Sequence, residues 1–225
     1  MARFRDHEKA LALRKQGMSY SQIRKLLKVS KSTLSLWLKD YPLSKQRIRE
    51  LRDWSEQRIE RCRETKRKKR EKRLGLFYQQ QRKLVSPLLN KSALYIAGLF
   101  LYWGEGSKNQ LSSLSLSNTD PAVIKFFIFW LAKNLSVHKE RLKVQLHLYA
   151  DMSIEQEVSF WSEILDIPRS QFANPYIKKT LSTKINHKGG FGHGTCNVTI
   201  GNARLAEKVH MALKVINDRY KQVRI

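Results

Sequence analysis

The spacing of apolar residues divides the chain into three stretches. In residues 4–42, Ala10 and Leu13 share one helix face and Gly17 ends that helix. Tyr20-Ser21-Gln22-Ile23 begins a second helix at a Ser cap, with Ile23, Leu26 and Leu27 as its buried face. Val29-Ser30 makes a short turn, Ser30 caps a third helix over 31–39, and Leu34, Trp37 and Leu38 fall on its inner side. Between 43 and 90 the apolar positions thin out. Ile48, Leu51, Ile59 and Cys62 form a sparse helical stripe, too poor for an extended coiled coil, and Pro87 and Asn90 mark the next boundary.

From residue 91 the periodicity switches repeatedly. An apolar run over 93–104 is followed by strict alternation over 111–117, the pattern of a half-buried strand. Asn118-Thr119-Asp120-Pro121 then reads as a helix start, with Asp120 the cap and Pro121 the first helical residue, and 123–135 is a helix apolar on more than one side. Residues 142–149 alternate again and put Lys143, Gln145, His147 and Tyr149 on one face, suited either to a nucleic-acid groove or to solvent. Ser153 starts a helix that passes Phe160-Trp161 and Ile164-Leu165 and ends at Pro168. Strands over 176–183 and 195–200, joined by a glycine-rich loop at 186–194, and a helix over 203–217 complete the reading. The expected class is α+β: an all-α unit over 1–42, a helical linker over 43–90 and a mixed α/β domain over 91–225.

Gly17, Ser19-Tyr20, Ile23, Leu26, Val29-Ser30, Ser32-Thr33 and Trp37-Leu38 together resemble the helix-turn-helix of resolvases and transposase-type DNA-binding domains. The resemblance implies that the helix over 31–39 enters the major groove of double-stranded DNA. The residues left over once its core side is assigned are Lys31, Ser32, Ser35, Leu36 and Lys39. The alternative is a three-helix packing unit with no DNA role.

Charge strengthens the first option. With 44 Lys and Arg against 19 Asp and Glu in 225 residues, the chain carries a formal +25, which makes a polyanion the expected partner, nucleic acid before anionic membrane. The run Lys66-Arg67-Lys68-Lys69-Arg70-Glu71-Lys72-Arg73 concentrates that charge, and Lys66, Arg67, Lys68, Lys69 and Arg70 are assigned to the phosphate backbone rather than to a merely solvated arm. The longest apolar run falls well short of the roughly 20 residues of a spanning helix, and residues 1–8 lack an apolar signal core. The expected location is therefore cytoplasmic, with the nucleoid. Cys62 and Cys196 support no disulfide framework, and the spacing of His187, His193 and Cys196 fits no standard zinc pattern.

The apolar run at 93–104 ends in Gly104-Glu105-Gly106-Ser107-Lys108, a carboxylate between two glycines. This resembles the signature of the LAGLIDADG homing endonucleases, in which a helix ends in Gly-Asp-Gly or Gly-Glu-Gly and the acidic residue binds a catalytic divalent ion. The resemblance implies Glu105 as a ligand of Mg2+ and Gly104 as a tight helix-packing residue. Trp103 stands at the family's earlier acidic position and Phe100 at its small interhelix contact. Ala97, Leu101 and Gly104 share one face by the i, i+4, i+7 rule and are assigned to a homodimer interface. Two copies would then bring two Glu105 residues together for phosphodiester hydrolysis, with Lys108 or Lys143 balancing charge and Gln145 and His147 on the DNA. The alternative function is a catalytically silent DNA-binding regulator built from the same domains. An acidic triad of Asp120, Asp151 and Glu155 or Glu157 is the weaker chemistry, since Asp120 already serves as a cap.

Overall fold

The computed structural model describes residues 4–51, 53–109, 111–179 and 192–221. The chain forms two compact units, Met1–Ser86 and Pro87–Ile225. No single helix among the described residues is long and apolar enough to cross a membrane.

The N-terminal unit consists of α1 (Phe4–Lys15), α2 (Tyr20–Leu27), α3 (Lys31–Trp37), α4 (Lys45–Glu50) and α5 (Trp54–Val85). The starts of α2 to α5 each have a side-chain cap where the first N–H groups need an acceptor. Ser19 and Gln22 make a reciprocal capping box on α2, and Ser30, Ser44 and Asp53 cap α3, α4 and α5. Ala10, Tyr20, Ile23, Val29, Leu34 and Leu38 form the core, with Leu27 and Trp37 packed at its edge.

Leu26 departs from the sequence reading, for it is 59% exposed. The inner face of α2 is already centred on Tyr20, Ile23 and Leu27, and Leu26 is turned about 100° from Leu27. Lys39 also falls outside its expected helix. α3 stops at Trp37, and Tyr41 precedes Pro42, which disfavours helical backbone before it.

The stretch expected as a linker from 43 contributes to this same unit. Ile48 and Leu51 are buried as expected, but Ile59 is only half-buried and Cys62 is exposed. The side chains that α5 buries are instead Glu56 and Glu60.

The C-terminal unit is built from α6 (Lys91–Glu105), β1 (Ser113–Asn118), α7 (Pro121–Leu135), β2 (Lys143–Tyr149), α8 (Ile154–Leu165), β3 (Tyr176–Lys178), β4 (Thr195–Gly201) and α9 (Ala203–Tyr220). The strands form one sheet in the order β1-β4-β2-β3, with β4 antiparallel to β1 and β2, and β3 parallel to β2. Leu114 and Leu116, Val144, Leu146 and Leu148, and Cys196, Val198 and Ile200 point to the helical side. There they join Leu99, Tyr102, Phe127, Trp130, Trp161 and Val209 in the core. Asp120 caps α7 through the Ala122 N–H, with Pro121 opening the helix. α6 and α7 cross at Gly98, where an added Cβ would lie 2.0 Å from the Trp130 ring. The indole N–H of Trp130 donates to Tyr95 O at 3.1 Å beside that crossing.

β3 is described to Lys178, and residues 180–191, which include His187 and most of the expected glycine-rich loop, lie outside the described residues.

Candidate nucleic-acid interface

In the N-terminal unit a buried polar framework holds α3 in place. The Arg14 guanidinium on α1 donates in a fork to the Glu60 carboxylate on α5, at 3.0 and 2.8 Å, and both side chains are 3% exposed. The same carboxylate accepts the Tyr20 N–H at 2.9 Å, and Glu56 accepts the Ser19 hydroxyl at 2.8 Å. Arg14 also donates to the carbonyls of Met18 and Tyr41, while the Tyr20 hydroxyl donates to Leu38 O at the end of α3. A buried charge is tolerated only when paired and fully hydrogen-bonded, and the Arg14–Glu60 pair answers that demand. Burial pushes the Tyr20 hydroxyl above its ordinary pKa, against the lowering effect of Arg63 and Arg14.

α3 exposes Lys31, Ser32 and Leu36, with Lys39 in the turn beyond and paired loosely with Asp40 at 3.8 Å. Ser35 is half-buried. Its hydroxyl accepts Arg63 from α5 at 3.0 Å, and that guanidinium lies over the Tyr20 ring at 3.6 Å. Arg63 thus belongs beside α3, which no local sequence pattern indicates.

Further along α5, Lys66, Lys69 and Arg70 are exposed and have no carboxylate partner among the described residues. Arg67 differs from its assignment as a free phosphate contact. It is clasped by Glu64 at 2.9 Å and by Glu71 one turn on, and Lys68 lies 3.6 Å from Glu64. Glu64 is held below its usual carboxylate range by its hydrogen bond from Arg67.

In the C-terminal unit the side of the sheet away from the core is polar across its whole width. β1 contributes Ser115 and Ser117, β4 Thr195, Asn197 and Thr199, β2 Lys143, Gln145, His147 and Tyr149, and β3 Tyr176 and Lys178. The register aligns them in rows: Ser115, Thr199 and Lys143 in one, Ser117, Asn197 and Gln145 in the next, Thr195, His147 and Tyr176 in the third. Ser115 donates to Asn197 Oδ1 at 2.6 Å, Thr199 to Ser115 at 3.0 Å, and Gln145 to Asn174 O at 3.1 Å, so these groups are pre-oriented. Lys178 sits over the Tyr149 ring at 4.9 Å, and Tyr176 meets His147 edge-on. Partial burial, and then the nearby Lys178 charge, lower the His147 pKa below its ordinary 6.5.

α6 delivers Glu105 to the edge of this sheet. Glu105 is its last helical residue and is exposed, with no ion-pair partner among the described residues. Gly106 caps the helix, its N–H donating to Tyr102 O at 2.8 Å, and pairs with Leu116 of β1, while the Ser107 N–H donates to Ser115 O. The Gly106 backbone is extended, so glycine is needed there for space rather than for a left-handed turn: an added Cβ would lie 2.4 Å from the Tyr102 ring. Lys108 folds back on the same turn, with Nζ donating to Gly106 O at 3.1 Å. Lys143 lies two strands from Ser115 in one row, roughly 10 Å at the usual strand spacing.

The outer face of α6 is exposed among the described residues. Ile96, Phe100 and Trp103 are exposed large apolar residues, and Ala97 and Gly104 lie among them. Leu101, assigned to this face, sits at its flank and packs on the core instead. Gly104 has no tight-packing role within the chain, because an added Cβ would meet nothing within 4 Å; Gly98 performs it.

Among the described residues no group of three or more His, Cys, Asp and Glu side chains is placed to hold a metal ion. Cys196 is buried, which pushes its thiol pKa up, and His193 is bonded to Glu157 at 2.8 Å and stacked on Phe160. Sequence reasoning missed Ser115, Asn197, Thr199, Tyr176 and Lys178. The alternation of Thr195, Asn197 and Thr199 was the available signal.

Residues 2–46 match the Homeodomain-like domain family, which makes this part of the chain a helix-turn-helix DNA-binding domain. No curated protein and no solved structure matches the chain.

Proposed function

We propose that the chain is a sequence-selective DNA-binding homodimer whose C-terminal unit is a LAGLIDADG-like, Mg2+-dependent endonuclease for double-stranded DNA. The observation that carries this reading is the position of Glu105. Among the described residues, an exposed carboxylate with no ion-pair partner ends an apolar helix with an exposed outer face, at the rim of an open polar sheet. Glu105 offers the hard anionic oxygen that Mg2+ prefers, one ligand from each copy. The bound ion would supply the Lewis acidity for attack on a phosphodiester.

The chain's own residues do the rest. α3 selects the site, Lys66, Lys69 and Arg70 hold phosphates, and Gln145 and His147 track the duplex along the sheet. Lys143, in the Ser115 row, balances charge that develops on the cleaved phosphate, and Lys108 steadies the Gly106 turn that presents Glu105. Ala97 and Gly104, with Ile96 and Phe100, form the contact between the two copies.

Glu105→Gln keeps the shape of the side chain and removes its charge. This variant should bind its site at least as tightly as the wild type yet lose Mg2+-dependent plasmid cleavage by orders of magnitude. The exposed Trp103, stacked with Phe100 where the resembled signature carries an acidic and a small residue, favours a second reading: a silent DNA-binding regulator. Wild-type protein that binds one sequence tightly and leaves it intact with Mg2+ and Mn2+ would establish that second reading.

A further inference from the structure

The last four turns of α5 carry an apolar stripe unrelated to either interface above. Leu74, Phe77, Tyr78, Leu84 and Val85, with Leu88 in the 3-10 turn Ser86–Leu88 that continues the helix, are each 45–70% exposed. At 100° per residue they fall within an arc of about 120°. Gln79 and Lys83 occupy the opposite side together with the exposed Leu76, and Gln80 lies on the flank. A helix of such length with an exposed apolar face needs something to cover it.

The stripe has an internal symmetry that identifies the cover. Its positions are mirrored about Gln81: Leu74 matches Leu88, Phe77 matches Val85, and Tyr78 matches Leu84. A pattern that reads the same in both directions is self-complementary in an antiparallel pair with a two-fold axis through Gln81, each residue i meeting j and j meeting i. In that arrangement the two Gln81 amides face each other as mutual donor and acceptor.

Charge selects the same orientation. Upstream on this face lie Arg67 and Arg70, and a parallel pair in register would set the two 66–73 blocks side by side, whereas the antiparallel pair sends them to opposite ends. Each block is then left open to phosphate.

We infer that α5 pairs antiparallel with α5 of a second copy of this chain through Leu74, Phe77, Tyr78, Leu84, Val85 and Leu88, with Gln81 on the axis. This interface uses none of the residues assigned to the α6 face and does not depend on nuclease activity.

The test uses full-length protein carrying Cys62→Ser, which removes the exposed native thiol. Leu74→Cys and Leu88→Cys proteins are prepared separately, then oxidised alone and in equimolar mixture. Within one chain the two positions are roughly 20 Å apart along the helix, beyond disulfide reach. A covalent dimer should form at least tenfold faster in the mixture than in either protein alone, and Phe77→Glu in both partners should abolish that advantage.

Sedimentation velocity of the otherwise unchanged chain should show a dimer that Phe77→Glu weakens at least tenfold. Rapid self-crosslinking of Leu74→Cys alone would indicate a parallel pair and overturn the inference. Equally fatal would be a dimer that persists unchanged with Phe77→Glu and gives no 74–88 crosslink, the behaviour of association through α6 alone.

Discussion

Replacing Glu60 with Leu tests whether the buried carboxylate holds the helix-turn-helix together. The carboxylate accepts both forks of Arg14 and the Tyr20 N–H, and Arg14 and Glu60 are each 3% exposed. Removing one partner of a buried pair costs about 3–5 kcal/mol, because the remaining charge is stranded in a low-dielectric site. Arg14 keeps its bonds to Met18 O and Tyr41 O, which places the expected loss near the low end, about 3 kcal/mol. At about 1.4 kcal/mol per factor of ten, globally exchanging amides of the 4–86 unit should exchange on the order of 100-fold faster.

Hydrogen exchange on the whole chain reads this directly, with peptides from 87–225 as the internal control. The double variant Arg14→Met with Glu60→Leu should recover part of the loss, since it removes the stranded charge but leaves the Tyr20 N–H and the Met18 and Tyr41 carbonyls without these partners. Unchanged exchange in Glu60→Leu, or a double variant no more stable than the single one, would refute the argument.

Four further outcomes are expected. Gly98→Ala should destabilise the C-terminal unit by about 1–3 kcal/mol or more, because its Cβ drives into Trp130. Gly104→Ala, with open space at that position, should leave the isolated protein unchanged or up to about 1 kcal/mol more stable in thermal unfolding. Changing Lys66, Lys69 and Arg70 to Ala should reduce the slope of log affinity against log salt by up to roughly 2.7, at about 0.9 per phosphate contact, on specific and random DNA alike; an unchanged slope would remove these residues from the interface. The lowered His147 pKa means that the free protein holds it neutral near pH 7. Any stability it contributes is present above the ordinary value of 6.5 and is lost as pH falls through the lower folded value. Nearby phosphates favour the protonated ring, so DNA affinity should rise as pH falls below 6.5, and His147→Gln should flatten that rise in a binding titration from pH 7.5 to 5.5.

Ser35→Glu would meet the Arg63 guanidinium and form an ion pair rather than simply repel DNA. Ser32 and Leu36, exposed on α3, are the better positions for probing base preference.

Local chemistry was enough to read much of the chain. Ser30 and Asp120 announce helix starts because their side chains supply acceptors that the first helical N–H groups lack, and Asp120 has Pro121 behind it with its backbone angle already set. The alternation of β1 and β2 follows from the two-residue period of a strand, which put Lys143, Gln145, His147 and Tyr149 on one side before any partner strand was known. The helix-turn-helix is legible for the same reason: its contacts are between neighbours in sequence.

Tertiary structure decided what depends on distant partners. Nothing around Glu60 indicates that Arg14, 46 residues earlier, makes it a buried anchor rather than a solvated helix charge. Nor does the spacing of 93–104 say whether Gly98 or Gly104 takes the close crossing, since that depends on where Trp130 of α7 arrives. Thr199 joins Ser115 and Lys143 in a row only because β4 lies between β1 and β2. Periodicity determines which face of an element is apolar; the order in which elements pack determines which polar groups meet, and that order is set by the whole core at once.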